Sequence, residues 1–126
     1  MAYPAGYRYT KEHEWIDAAT GLIGITDYAQ NSLGDIVYVD VPKVGDQIAA
    51  NQTFGSVESV KAVSDLFSPV SGKVLAVNED LKNAPDKINE DAHSAWIIKI
   101  EITNPAELDG LLDAAAYEAF IAEETH

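Results

Sequence analysis

Seven short segments rich in β-branched and aromatic residues, at 7–10, 14–17, 22–25, 36–41, 53–60, 62–68 and 73–77, fill the first two thirds of the chain, with glycine, proline and asparagine between them. Strands this short and this closely spaced cannot feed long crossover helices, so they predict a compact antiparallel sandwich or barrel. Thr20-Gly21 marks a hairpin turn, and Thr26 is placed to cap a short helix that runs through Leu33 and stops at Gly34. A turn follows at 42–45. A short helical turn is expected at 78–83, ended by Pro85, before a last strong strand at 96–102.

The tail changes character. Asn104-Pro105-Ala106-Glu107 offers an N-cap, a proline at the first helical position and an acid three residues after the cap, which together predict a helix start. A second helix is expected from about Asp113, with Tyr117, Phe120 and Ile121 on one face, packing on the sheet. No composition shift or low-complexity linker divides the chain, so residues 1–126 read as one domain: a β core over about 7–102 and a helical tail over about 104–124. The segments Gly34-Asp35-Ile36-Val37-Tyr38-Val39 and Gly72-Lys73-Val74-Leu75-Ala76-Val77 echo each other, each with a turn-like glycine launching a strand, and hint at two related sheets.

Several function classes are disfavoured. The chain has no cysteine, so disulfides, thiolate metal sites and a cysteine nucleophile are excluded, and any sulfur chemistry has to arrive on an attached group. A net charge of −13 repels phosphate backbones and anionic lipid, leaving basic protein partners. No apolar run approaches the roughly 20 residues of a membrane helix, and the first six residues resemble neither a secretory leader nor a presequence, which points to a bacterial cytoplasm, or to a mitochondrial matrix if a presequence has been removed. His13, His93 and His126 are scattered, with no metal-ligand spacing and no nucleotide-binding glycine loop, so a stand-alone enzyme is not expected. His13 lies between Glu12 and Glu14. Strand alternation would put those acids on the opposite face and leave the ring exposed or packed.

The informative run spans 54–69. Outward from Lys61-Ala62 it is nearly a palindrome, in which Val60 mirrors Val63, Ser59 mirrors Ser64 and Glu58 mirrors Asp65. If Lys61 and Ala62 are the two central residues of a tight hairpin, these become cross-strand pairs and Lys61 projects from the tip, where other molecules can reach it. Glu58 opposite Asp65 would then set two like charges face to face, at some cost in stability.

Glu58-Ser59-Val60-Lys61-Ala62, followed by Ser64-Asp65-Leu66 and Ser68-Pro69-Val70-Ser71-Gly72, resembles the lipoyl-attachment segment of glycine cleavage H proteins. The similarity extends to Tyr9-Thr10-Lys11-Glu12-His13-Glu14-Trp15, to Gly24-Ile25-Thr26-Asp27-Tyr28-Ala29-Gln30, to Leu33-Gly34-Asp35-Ile36-Val37 and to Trp96-Ile97-Ile98-Lys99-Ile100, covering the chain from about Tyr7 to Phe120. It implies a mainly β fold with helical additions, a hybrid barrel-sandwich of the lipoyl/biotinyl type with a C-terminal helix. It also implies covalent lipoate on Lys61, with Glu58 and Gly72 at positions associated with recognition by lipoylating enzymes. Biotinyl domains typically flank their lysine with methionines, and the only methionine here is Met1, so Val60 and Ala62 favour lipoate. The pattern lapses at Asp91-Ala92-His93-Ser94-Ala95-Trp96, a shortened loop, and at Asn51, where glycine is common but asparagine tolerates the left-handed conformation.

The function so implied is that of a non-enzymatic carrier. It would take the aminomethyl group of glycine from a pyridoxal-phosphate glycine decarboxylase to a folate-dependent aminomethyltransferase, and the dithiol to the flavoenzyme dihydrolipoamide dehydrogenase. An H-like protein relaying lipoyl groups to 2-oxoacid dehydrogenases is the alternative. The loaded amine is cationic and its linkage hydrolysable, so the arm is expected to fold against a surface that carries an acid and excludes water, with Glu14, Asp65 and Tyr28 as candidates.

Overall fold

A computed structural model of the chain describes residues 3–124; His126 lies outside them. The strands are β1 (Tyr7–Tyr9), β2 (Glu14–Asp17), β3 (Leu22–Ile25), β4 (Ile36–Asp40), β5 (Gln47–Ile48), β6 (Thr53–Ser59), β7 (Val63–Phe67), β8 (Gly72–Val77) and β9 (Ile98–Ile102). They form a six-stranded sheet, ordered β1-β2-β3-β9-β8-β5, and a three-stranded sheet, β4-β6-β7, with every pairing antiparallel. The sandwich part of the expectation holds and the barrel part does not. β5 is only two residues long and, among the described residues, β4 pairs with β6 alone and no pairing joins the edges of one sheet to the other, so neither sheet closes on itself.

Alternation explains the core. Ile16, Ile23, Ile98, Ile100 and Val74 from the larger sheet and Ile36, Val39, Val57 and Leu66 from the smaller are all buried in one cluster. Each such side chain contributes about 1.5–3 kcal/mol on removal from water. A second, aromatic cluster of Tyr9, Trp15 and Tyr117 lies under α4 (Ala114–Glu124). There Tyr117 stacks on Tyr9 with centroids 4.9 Å apart, so the aromatic face of the tail helix packs as its spacing predicts. The Asp113 carboxylate caps this helix by accepting from the Ala116 amide at 2.8 Å.

The other helix with a strong sequence signal, α1 (Asp27–Leu33), has the expected ends. Thr26 accepts from the Ala29 amide, and Gly34 terminates the helix at φ 81°, ψ −156°, a region open to glycine alone. Asn51 adopts φ 68°, the left-handed conformation that asparagine tolerates. The helical turn near 78–83 is α2 (Asp80–Asn83), and α3 (Lys87–Glu90) follows it without having been expected.

Three local readings are corrected. Residues Pro105–Gly110 form a 3₁₀ turn rather than the start of an α-helix. Glu107 does not reach back to its own cap but accepts from the Ser71 amide (2.7 Å) and hydroxyl (3.0 Å), a long-range anchor that outcompetes the capping box. His13 is not in a strand. It sits in the turn before β2 at φ 71°, so alternation does not apply, and its ring packs against Tyr28 and Phe120 while Nε2 meets Glu124 at 3.0 Å. Gly72 is a strand residue rather than a turn glycine: a Cβ there would stand 2.6 Å from the Glu101 carbonyl oxygen, so close backbone approach across β8 and β9 requires glycine.

Candidate functional site

The smaller sheet carries the lysine. Val57 faces Ser64 on its inner side, while Glu58 faces Val63 and Ser56 faces Asp65 on its outer side. This register differs from the palindromic one. The turn centres on Val60-Lys61 rather than Lys61-Ala62, a shift of two residues that leaves Val57 and Leu66 on the buried face in either register, so burial does not choose between them and the bonds Ser59 makes across the turn favour the observed one. Glu58 and Asp65 are therefore diagonal, with Ser56 opposite Asp65, and the predicted face-to-face repulsion is relieved.

The side chain of Ser59 supplies the turn chemistry that Lys-Ala lacks. Its amide donates to the Ala62 carbonyl at 2.8 Å, while its hydroxyl oxygen accepts from the amides of Lys61 (3.3 Å) and Ala62 (3.1 Å). No residue of the tip needs positive φ. Lys61 stands exposed between Val60 and Val63, which are 68% and 65% exposed, and among the described residues no carboxylate pairs with it.

Below the tip the outer face reads in rows. Tyr38, Glu58 and Val63 form the first, with Tyr38 exposed beside Glu58; Asp40, Ser56 and Asp65 form the second. An apolar pair thus flanks one acid, with two further acids diagonal to it. Tyr38 escaped the sequence reading because an aromatic residue in a strand ordinarily signals core. Only the sheet's inward alternation through Val39 would have turned it outward.

Val63, Asp65 and Phe67 share the outer side of β7, a stripe of about 13 Å at 3.3 Å per residue. At its far end the Phe67 amide donates to Glu14 at 3.2 Å. Glu14 is buried and also accepts from the Thr10 hydroxyl at 2.6 Å. Burial pushes its carboxyl up to about 7, partly opposed by these hydrogen bonds. Asp65 and Glu14 are thus brought onto one strand's path, whereas Tyr28 lies half-buried against the His13 ring, 4.7 Å away. Gly72 belongs to the other sheet, beyond the end of β7 opposite to the tip, and is not brought to Lys61.

The shortened loop at 91–96 is a packing hub. The Ala92 carbonyl accepts from Trp15 Nε1 at 3.1 Å, the His93 carbonyl from the Tyr7 hydroxyl at 2.9 Å, and His93 Nε2 from the Asp27 amide at 3.2 Å. Burial holds the His93 imidazole below its ordinary value, in keeping with an accepting ring nitrogen. A cavity of about 400 Å³ beside this loop, lined by Asn78, Leu81, Lys87 and Trp96 among others, includes none of the tip residues.

Residues 7–124 match a protein family described as glycine cleavage H-protein. The chain is 71% identical over 127 residues to a glycine cleavage system H protein of Acidobacterium capsulatum, covering 99% of this chain and 98% of that one, and 68% identical to one of Koribacter versatilis, covering 98% of each. Its structure is similar to the crystal structure of a glycine cleavage system H protein from Mycobacterium marinum, with a TM-score of 0.84 and 34% identity over 98% of this chain and 100% of that one.

Proposed function

The chain belongs to the glycine cleavage H-protein family, non-catalytic lipoyl carriers of the glycine cleavage system, and on that premise we propose that Lys61 is the lysine to which its lipoyl group is attached. The observation that carries the assignment is the position of Lys61 at the outermost turn of the β6–β7 hairpin, exposed and unpaired by any described carboxylate. Amide formation needs the lysine Nζ to enter another protein's active site, and a hairpin tip allows that without unfolding. When bound, the group supplies a dithiolane that opens to two thiols, chemistry that a chain without cysteine cannot provide.

The residues around the tip suit approach by a lipoylating enzyme. Glu58 lies two strand positions from the tip between exposed Tyr38 and Val63, so a partner with an apolar patch and a cation can read it directly. Gly72 contributes indirectly, through the close backbone approach of β8 to β9 that it permits. The same acidic surface suits the later partners, a glycine decarboxylase, an aminomethyltransferase and dihydrolipoamide dehydrogenase, which would meet it in turn in a bacterial cytoplasm. Incubation with a lipoate ligase, lipoate and ATP tests the assignment by intact mass. The wild type gains one lipoyl amide and K61R gains none while keeping its melting temperature, and E58A is modified at least several-fold more slowly. Modification of K61R at another lysine overturns it.

Between transfers the stripe from Val63 through Asp65 to Phe67 offers the arm a path towards Glu14. Asp65 faces the cationic aminomethyl cargo from the surface. Glu14 loses its proton more readily as an ammonium approaches, because the new charge offsets part of the penalty for burying the carboxylate. D65A is expected to speed loss of the aminomethyl group from isolated loaded protein, with E14A doing so more strongly. Wild-type rates in both variants would rule out this role.

A further inference from the structure

We infer that Asn89, in a helix remote from the lysine in sequence, positions the Lys61 tip, acting through the Gly34–Ile36 corner between α1 and β4. The inference rests on Lys61 being the attachment lysine.

The hairpin holds its own tip with few bonds. Beyond the Glu58–Val63 pair there is one backbone bond, from the Ser59 amide to the Ala62 carbonyl, and the remaining amides share the Ser59 hydroxyl. The valines on either side are more than half exposed and add little packing. A tip with so few buried contacts samples many orientations unless something outside it holds it.

That support is a hydrogen bond to a different part of the chain. The Val60 amide donates to the Asp35 carbonyl at 3.0 Å. Asp35 is itself exposed, but the peptide groups on either side of it are gripped by one side chain. Asn89 Oδ1 accepts from the Ile36 amide at 2.8 Å, and Asn89 Nδ2 donates to the Gly34 carbonyl at 2.9 Å. The same Nδ2 donates to Gln30 Oε1 at 2.8 Å, so the amide has two acceptors on one side and a donor on the other, which fixes its orientation. Gln30 Nε2 donates in turn to Asp27 at 2.9 Å, and neighbouring Ile88, fully buried, anchors α3. The corner is therefore rigid where the tip is not.

The lysine rests on this corner. Cε of Lys61 lies 3.4 Å, and Nζ 4.0 Å, from the point where a Cβ of Gly34 would stand. Gly34 thus serves twice, supplying the backbone conformation that ends α1 and a bare surface for the lysine stem. Asn89 aims the corner, the corner holds the Val60 amide, and the Lys61 stem lies along the glycine face. A partner then meets a lysine already pointed, with less ordering to be done on binding.

Amide hydrogen exchange and lipoylation kinetics on the full chain carrying N89A test this. Exchange at Val60, whose bond leaves the hairpin, is expected to accelerate at least fivefold. Ser59, bonded within the hairpin, and Ile100, bonded to Gly21 in the core, should keep wild-type rates. With a lipoate ligase, lipoate and ATP, KM for the N89A chain should rise at least fivefold at unchanged kcat, because the ligase sets the tip once it is bound. N89D keeps the acceptor for Ile36 but loses the donor to Gly34, and should show the same split. It replaces N89A if the latter does not fold. Wild-type exchange at Val60 and wild-type KM overturn the inference, and so does equal acceleration at Val60, Ser59 and Ile100, which would make Asn89 a residue of global stability only. Failure of the wild type to be modified at Lys61 would instead remove the attachment assignment, leaving the exchange result to stand or fall by itself.

Discussion

Glu14 shows at the scale of one residue how a carboxyl reads differently in sequence and in space. Beside Glu12 it looks like one more solvating acid, yet it is buried with its oxygens on Thr10 and Phe67. Nothing in its neighbours along the chain says so, because the burial comes from β7, more than fifty residues away. A carboxyl raised from 4.5 to about 7 holds more protons folded than unfolded in that interval, so its stabilising contribution is complete below pH 4.5 and is lost as pH rises to 7. Over that span the loss is on the order of 3 kcal/mol. The imidazoles of His13, half-buried, and His93, buried, have the opposite sign. Burial lowers both, for His13 against the pull of Glu124, so their contribution is full above pH 6.5 and declines as pH falls. Urea denaturation from pH 4.5 to 8 should therefore show wild-type stability falling as pH rises from 4.5 to 7, with the two histidines offsetting part of the loss. E14Q mimics the protonated acid and should show stability that climbs steadily with pH, exceeding the wild type above pH 7. Parallel profiles would mean that Glu14 does not titrate in this window.

Elements with local signals were legible and those made by long-range contacts were not. The helix α1 announces itself by Thr26 and Gly34, and α4 by the spacing of Tyr117, Phe120 and Ile121. By contrast β5 and α3 have two and four residues and exist because β8 and the Gly34 corner hold them. The lysine hairpin lies between these cases: its location was plain from symmetry, but its register is the one that Ser59 closes across the turn, two residues from the palindromic one. Thr26 links two elements, since its oxygen caps α1 and lies 2.7 Å from the Tyr117 hydroxyl, which also bonds His13 Nδ1 at 2.8 Å. T26A removes a cap worth about 1 kcal/mol. It also strips a buried hydroxyl of one partner, for a further 1–3 kcal/mol. The unfolding free energy from urea denaturation should fall by a corresponding total of about 2–4 kcal/mol, with T26S restoring most of it. A loss within 0.5 kcal/mol would show that this chain does not couple the helices.

For the molecule as a whole, the division of labour follows from composition. With no cysteine and a net charge of −13, the chain neither performs sulfur chemistry itself nor suits nucleic acid, and its acids are free to meet basic protein surfaces. The two open sheets supply a stiff body, and the smaller one projects a single lysine beyond it. Family membership settles that the protein is a lipoyl carrier; the choice of lysine is the central claim. Intact mass with peptide mapping, on protein taken from its native organism grown with lipoate available, tests it most directly. One lipoyl amide confined to Lys61 is the expected result. A bare Lys61, or lipoate on any of the other lysines, would contradict it.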